Sequence, residues 1–278
     1  MTSTTSTLKD STRLLPSALS IGIERGKHEL RCFARNREAL FFTLLFPVMM
    51  LVLFGAIFGG RDAITGVKYA QVLTAGILAS GLASVTFVNL AISVCTERDA
   101  GDLKRLAATP MPKAAYFIGK LIQVFVIMVV EILLIILVGV LLYGVKLPTS
   151  PARWLTFAWL TILGSMAFGL LGIAMSSLPR NAKAAAPLVN IPFVALQFIS
   201  GVFVPYNELS PAIRSVASIF PLKWLAQGYR SVFLPDAFLK VEADGAWMHG
   251  QTALVLVAWI VVGAALCLRT FRWQRDSR

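Results

Sequence analysis

Six long apolar windows constrain this 278-residue chain more than any other feature of its sequence. Five contain no Asp, Glu, Lys or Arg, and the sixth contains a single acid. The windows are 39–60, 69–96, 121–145, 154–179, 184–207 and 250–268. Because a helix of about 20 apolar residues crosses a bilayer core, each window is long enough to span a membrane. We therefore predict an all-α polytopic membrane protein with six transmembrane helices. The predicted spans are about 39–58, 70–94, 117–143, 154–178, 184–204 and 250–268.

Composition and charge agree with this class and give the spans a direction. Only 14% of residues are charged and the mean hydropathy is +0.74, whereas about 25% of residues are charged in soluble domains. With a cytoplasmic N-terminus, eighteen of the 26 Lys and Arg residues fall in cytoplasmic segments. Positive residues stay inside during insertion, so we expect a multi-pass plasma (inner) membrane protein with both termini cytoplasmic. The same asymmetry accounts for the net charge of +12 without nucleic-acid binding.

The segments that flank the spans are polar and basic. Residues 1–15 are rich in Ser and Thr, which predicts a disordered tail. Residues 16–38 alternate apolar side chains with Lys and Arg, which favours an amphipathic helix in the membrane interface. An ordinary basic flank is the alternative for this segment. Residues 269–278 form a basic cytoplasmic tail.

A charged segment, 97–111, separates the second and third windows. Read at helical spacing, Ala100, Leu103, Leu106 and Ala107 share one face and most of the charges lie on the other. Pro110 disfavours a helical residue before it and ends the pattern. We predict a short amphipathic cytoplasmic helix, which is a surface suited to contact with a soluble partner.

Three polar side chains inside the spans are candidates for a substrate pathway or for gating. Glu131 is the only charged residue deep within a span, and a charge there is costly unless it is paired, protonated or hydrated. A carboxyl hydrogen-bonded to a neighbouring helix is the alternative for Glu131. Asn190 and Gln197 lie seven residues apart on one face of the fifth span. Pro187 and Pro192 interrupt that span, so its polar face should point inward, toward a partner helix or a wet pathway.

The connection between spans 5 and 6 is too apolar for an ordinary loop. Two apolar runs within 207–234 are separated by Pro221, and each is too short to cross a membrane. They predict a pair of short re-entrant helices on the outer side, with Pro205, Pro221 and Arg230 as marker residues. A small external cap is the alternative.

Residues for catalysis are not grouped in this sequence. The nearest approach to a phosphate-binding loop is Gly119-Lys120, but Ala114 and Leu121 stand where that motif needs Gly and Ser or Thr. His28 and His249 fall on opposite sides of the predicted membrane. We therefore expect no enzyme active site, cofactor site or metal site in this chain.

Two landmarks in the correct order resemble the ABC-2 type transporter permeases, and most of all the drug-exporter branch related to daunorubicin-resistance permeases. The first is the segment Glu97 to Pro110 followed by Gly119-Lys120. It is similar to the family's loop after span 2, although Asp102 stands where the family more often has Thr or Ser. The second landmark is similar to the family's segment between spans 5 and 6. It consists of Ser200 to Pro205, Leu209 to Pro211, Phe220 to Leu222, and Arg230.

The resemblance implies the permease subunit of an ATP-driven exporter. It implies a second permease subunit, identical or homologous, and two separate ABC ATPase subunits that bind ATP and Mg. The substrate would be amphipathic or lipid-like. The positions that match the family's ATPase-coupling surface are Glu97, Arg98, Gly101, Leu103 and Leu106. A membrane assembly or immunity factor that binds a partner without transport is the alternative function.

Overall fold

The structure is a computed structural model that describes residues 17–58, 66–242 and 245–270. Six helices of the described residues are long and apolar enough to cross a membrane, which confirms the predicted fold class. They are Arg37–Phe58 (α2, span 1), Tyr69–Asp99 (α3, span 2), Lys113–Tyr143 (α5, span 3), Pro151–Met175 (α6, span 4), Ala182–Ile199 (α7, span 5) and His249–Thr270 (α10, span 6). The predicted tail 1–15 and most of the predicted tail 269–278 lie outside the described residues.

Four further α-helices of the described residues lie outside the six spans. They are Ala18–Arg35 (α1), Asp102–Ala107 (α4), Pro211–Ile219 (α8) and Pro221–Phe233 (α9). Proline occupies the first turn of α6, α8 and α9. Its fixed φ suits that position, and the amide that it lacks would have no intrahelical partner there.

Span 2 is the centre of the bundle. In its most apolar window 72% of the residues are buried, against 17–33% in the other five spans. It packs against spans 1, 3, 4 and 5 and against α9. Gly76 and Ser80 are buried in it, and Ser84 is partly buried. Small side chains let helix backbones approach closely in a membrane, which allows this helix to pack on several neighbours.

The N-terminal helix α1 packs along the first turns of span 3. Gly22 and Gly26 of α1 face span 3, where a Cβ atom would come within 2.8 Å of the side chain of Ile118 or Ile122. The opposite face of α1 is exposed, including Leu19 and Ile23. Residues 18–35 therefore form an amphipathic helix that is fixed to the bundle, and its position in the membrane interface stays a prediction.

The connection between spans 5 and 6 contains two short helices that meet at Pro221, as expected. Every residue of α9 is buried, because α9 packs between spans 2, 4 and 6. The shorter α8 leaves Ile213, Val216 and Ile219 exposed. A re-entrant position within the membrane stays a prediction for both helices.

Two helix boundaries differ from the predicted ones in a way that matters for function. Span 2 continues to Asp99 instead of ending near residue 94, so Glu97 and Arg98 belong to its last turn and not to the loop. Span 5 ends at Ile199 instead of near residue 204. Gly201, with φ +77°, turns the chain there in a left-handed conformation that favours glycine.

Spans 1 and 2 each contain one turn of π-helix, at Phe41–Leu45 and Ser84–Asn89. Such turns insert one residue into an α-helix and occur often at functional sites. Span 5 is irregular for another reason, because Pro187 and Pro192 lie inside it and lack the amide that would bond to the preceding turn. The three spans with irregular backbone are neighbours in the bundle.

Close packing of span 4 on the π turn of span 2 gives a matched pair of variants. A Cβ at Gly172 would come within 2.8 Å of the carbonyl oxygens of Thr86 and Phe87, which are backbone atoms and cannot rotate away. A Cβ at Gly169 would meet nothing within 4 Å. We expect Gly172→Ala to lower stability by about 1–3 kcal/mol and Gly169→Ala to leave it unchanged or raised. Thermal unfolding in detergent measures both, and equal melting temperatures would contradict the packing.

Candidate functional site

The predicted coupling segment is built from the last turn of span 2 and the short helix α4. Gly101, with φ +80°, makes the turn between them. Leu103 is completely buried and packs with Leu90, Val94 and Tyr116 of spans 2 and 3. Leu106 is partly buried against the same cluster. The helix α4 is therefore anchored on the spans through its apolar side.

The exposed side chains of this segment are either basic or small. Lys104, Arg105, Ala107 and Ala108 are exposed, and Arg105 lies 3.8 Å from Asp102 in an exposed ion pair. The helical pattern grouped Ala100 and Ala107 with Leu103 and Leu106, but both alanines are exposed. The reason is that α4 has only six residues and begins after Ala100. A partner can reach this exposed surface directly, whereas Leu103 is accessible only from within the bundle.

Lys120 is buried between two carboxylates that come from different helices. Its Nζ contacts Glu29 Oε2 of α1 at 2.8 Å, Ser93 Oγ of span 2 at 2.8 Å, and Glu97 Oε1 of span 2. The side chain of Lys120 is 4% exposed. Because a buried charge is stable only when it is paired and hydrogen-bonded, this lysine joins α1, span 2 and span 3.

Arg25 and Tyr116 complete what we call the Lys120 cluster, together with Glu29, Ser93 and Glu97. Arg25 Nη2 lies 2.6 Å from Glu29 Oε1 and 3.9 Å from Glu97 Oε2. The Tyr116 hydroxyl donates to Glu97 Oε2 at 3.0 Å. Two cations therefore face two carboxylates. By contrast, Lys27 on the exposed face of α1 hydrogen-bonds Glu24 and lowers the pKa of that carboxyl below its ordinary value.

Arg98 points away from the Lys120 cluster. Its Nη1 donates to the carbonyl oxygen of Ser176 at 2.7 Å and its Nη2 to Ser176 Oγ at 3.2 Å. Ser176 follows span 4 directly. Of the five residues predicted for ATPase coupling, Glu97, Arg98 and Leu103 thus hold helices together, and whether any of the five contacts an ATPase stays a prediction.

A cavity of about 560 Å³ lies between spans 1, 2 and 5. Asn190 and Gln197 both line it, so the structure brings these two predicted residues to one wall. The Asn190 side chain also donates to the carbonyl oxygen of Ala186 at 2.9 Å. Other polar residues on the wall are Asn36, Glu38, Thr43, Ser80, Ser84 and Asn89. Aromatic residues on the wall are Phe42, Phe46, Phe193 and Phe203. Its size and its apolar walls with a few polar groups are typical of small-molecule sites.

Glu131 does not line this cavity and lies in the interior of the bundle. It is 1% exposed, and neither carboxyl oxygen has a hydrogen-bond partner within the part of the chain that the structure describes. Gly81 of span 2 makes room for it, because a Cβ there would lie 2.6 Å from Glu131 Oε1. The structure thus separates Glu131 from Asn190 and Gln197.

Arg230 binds Glu242, an acid that the sequence analysis did not identify. Its Nε and Nη2 donate to Glu242 at 3.0 and 2.6 Å, and its Nη1 donates to the Gly201 carbonyl at 3.1 Å. Pro221 begins α9, and Pro205 precedes a short 3-10 turn at Tyr206–Glu208. These residues fix the chain around α9 and lie apart from the coupling segment.

Within the Lys120 cluster, Glu29, Ser93 and Tyr116 are the residues that sequence reasoning missed, whereas Glu97 was predicted for another role. Lys120, Gln123 and Glu131 are all buried on span 3. Glu29 gave no signal of its own, because it is one acid within a basic amphipathic segment. The available hint was a lysine in the apolar span 3 that has no acid within one turn of it on the same helix.

Comparisons with known proteins give matches over most of the chain. The family model described as ABC-2 type transporter matches residues 26–234. A putative transport permease, YvfS, of Bacillus subtilis is 23% identical over 193 residues, covering 69% of this chain and 77% of the relative. The putative transport permease ycf38 of Porphyra purpurea is 24% identical over 244 residues, covering 83% and 81%. The probable multidrug ABC transporter permease YbhR of Escherichia coli is 22% identical over 175 residues, covering 62% of this chain and 47% of the relative. The chain thus spans about half the length of YbhR.

Neutralising Lys120 tests whether the cluster holds α1 and the adjoining ends of spans 2 and 3 together. In Lys120→Met, Glu29 and Glu97 lose the cation between them, so we expect a loss of about 3–5 kcal/mol of stability. Adding Glu29→Gln should recover part of that loss, because one uncompensated charge is removed. Lys27→Met, on the exposed face of α1, is the control and should leave the melting temperature unchanged. A stable Lys120→Met protein would contradict the role of this lysine.

Proposed function

The chain belongs to the ABC-2 type transporter family, and from this we propose that it is the permease subunit of an ATP-driven exporter. The multidrug permease names of its relatives support transport as the activity. ATP hydrolysis would take place in separate ABC ATPase subunits, two copies of which would bind ATP and Mg on the cytoplasmic side. A second permease subunit, identical or homologous, would complete the membrane domain.

The observation that carries this proposal is the attachment of α4. Its apolar side is fixed to spans 2 and 3 through Leu103, while its basic side, with Lys104 and Arg105, is exposed. A soluble subunit that binds the exposed side would therefore move the spans with it. The Lys120 cluster supports rigid movement, because it joins the end of span 2 to span 3 and α1.

The cavity between spans 1, 2 and 5 would accept the substrate. Its aromatic walls suit the apolar part of an amphipathic or lipid-like molecule, and Asn190 and Gln197 offer hydrogen bonds to its polar part. Export would proceed from the cytoplasm or the inner leaflet by alternating access, with the spans changing between two packed arrangements.

The proposed location is the plasma (inner) membrane with both termini in the cytoplasm. The excess of Lys and Arg in the segments assigned to the cytoplasm supports this orientation. Contact of α1 with the first turns of span 3, beside α4, also supports it, because the N-terminal helix and the coupling segment then share one side.

Reversing the exposed charge of α4 tests the ATPase interaction. In Lys104→Glu combined with Arg105→Glu, we expect at least about tenfold less ATPase to co-purify, because complementary charges become repulsive. Lys146→Glu, an exposed lysine after span 3 on the other side of the membrane, is the matched control. Affinity purification of the tagged chain from its own cells, followed by mass spectrometry, measures the bound ATPase. If the wild-type chain recovers no ABC ATPase, the non-transporting assembly factor becomes the better function.

The cavity makes a separate prediction about transport. Asn190→Leu combined with Gln197→Leu removes both amides from the wall and should lower ATP-driven export severalfold while ATPase binding stays intact. Thr156→Val, a half-buried position on span 4 away from the cavity whose hydroxyl donates to the Ala152 carbonyl of its own helix, is the control. ATP-driven uptake of the amphipathic dye ethidium into inverted vesicles, with ATPase recovery measured in the same preparation, provides both readouts. Unchanged uptake in the double variant would exclude this wall from the pathway.

A further inference from the structure

Side chains of the last turn of span 2 make contacts on two different faces of the helix. The contacts of the second face reach span 5. Ser93 and Glu97, four residues apart, face the Lys120 cluster. Cys95, Arg98 and Asp99 share another face, because side chains three and four residues apart neighbour each other on a helix. Cys95 and Arg98 contact the short connection between spans 4 and 5, and Asp99 contacts the first residue of span 5.

The contacts of the second face reach both sides of that connection. Arg98 binds Ser176 at the end of span 4 with two donors. The Cys95 thiol donates to the Asn181 carbonyl at 3.7 Å. Asp99 Oδ2 accepts a hydrogen bond at 3.0 Å from the amide of Ala182, the first residue of span 5.

Asp99 therefore caps span 5 from another helix. The first amides of a helix have no partner within it, and a carboxylate at that end also interacts favourably with the helix dipole. Span 5 uses its own Asn181 for one of these amides, since Asn181 Oδ1 accepts from Ala184 at 2.9 Å. The amide of Ala182 takes its partner from span 2.

Span 5 is also the span whose face lines the cavity. Ala186, Asn190, Phe193 and Gln197 lie on one face of it, and Ala186 is one turn after Ala182. Pro187 and Pro192 remove two backbone hydrogen bonds between these turns, so a displacement of the first turn changes the tilt of the following ones at little cost.

We propose that Arg98 and Asp99 are positioning residues that transmit movement of α4 to the cavity face of span 5. This inference rests on the proposed function for the origin of the movement, and it adds the route within this chain. Asp99 matters most, because it is the contact on span 5 itself. Glu97 and Lys120 carry the same movement to span 3 and α1 through the other face.

The test uses the full-length chain with its ATPase in lipid nanodiscs. Spin labels are placed at two exposed positions, Ala107→Cys on α4 and Leu188→Cys on span 5, in a background that lacks the three native cysteines. The label distance is measured without nucleotide and with ATP trapped by vanadate. Asp99→Ala removes the acceptor, Asp99→Asn keeps an oxygen acceptor, and Asp102→Ala is the control on the exposed side of α4.

In the parent protein and in the Asn and Asp102→Ala variants, we expect one narrow distance distribution in both states. In Asp99→Ala, we expect a broader distribution that shifts when ATP is trapped. Ethidium transport per ATP hydrolysed, measured for the same variants in proteoliposomes, should fall about fivefold in Asp99→Ala and recover in Asp99→Asn, as expected for the loss of one capping interaction. A narrow, unshifted distribution in Asp99→Ala, or the same change in Asp102→Ala, would overturn the inference.

Hydrogen exchange of the isolated chain separates this inference from the proposed function. If the proposed function fails, ATP changes no distance in any variant and no efflux occurs. The amides of 182–186 should still exchange faster in Asp99→Ala than in the parent and the Asn variant, because the link does not depend on the ATPase. Equal exchange in all variants would overturn the link itself.

Discussion

The arrangement of the helix ends next to α1 and α4 depends on one buried lysine. Lys120 has left water almost completely, and its charge is balanced only because Glu29 and Glu97 reach it from two other helices. Removing one member of such a group leaves an uncompensated charge, so the group is stable only when α1, span 2 and span 3 are in register. Close approach of glycines 22 and 26 to span 3 serves the same register through packing. Charge and shape therefore fix one arrangement.

The same register makes the attachment of the coupling segment rigid. Glu97 and Arg98 are in the last turn of the most buried span and not in a loop, so α4 follows a rigid helix after a single turn at Gly101. The predicted contact surface thus divides into two parts. An inner part, with Leu103, Glu97 and Arg98, attaches the segment to the bundle. An outer part, with Lys104 and Arg105, is free to meet a soluble subunit.

The sequence predicted the fold better than the site, and the reasons are physical. Apolar windows report directly on the bilayer, so the six spans could be predicted, whereas the central position of span 2 is seen only in the packed bundle. Asn190 and Gln197 share a helix, so their common wall followed from spacing alone. Contacts between helices are not encoded in spacing. Glu29 and Lys120 are 91 positions apart and Asp99 and Ala182 are 83 apart, and only the packed bundle brings them together. The π turns in spans 1 and 2 likewise had no signature of the kind that proline gives span 5.

The joined helix ends and the irregular backbone around the cavity differ in stiffness, and this difference bears on the proposed transport. The helix ends next to α1 and α4 are joined by ion pairs and by side chains that bond to backbone groups, so we expect these parts to move as a unit. The cavity is surrounded by two π turns and by a span with two prolines, where backbone hydrogen bonds are fewer or displaced. Irregular backbone within a membrane is tolerated where it lines a cavity or is buried in protein. Under the proposed function, a displacement of α4 and the helix ends joined to it would therefore deform the backbone where it is least regular. That place is the cavity wall that carries Asn190 and Gln197.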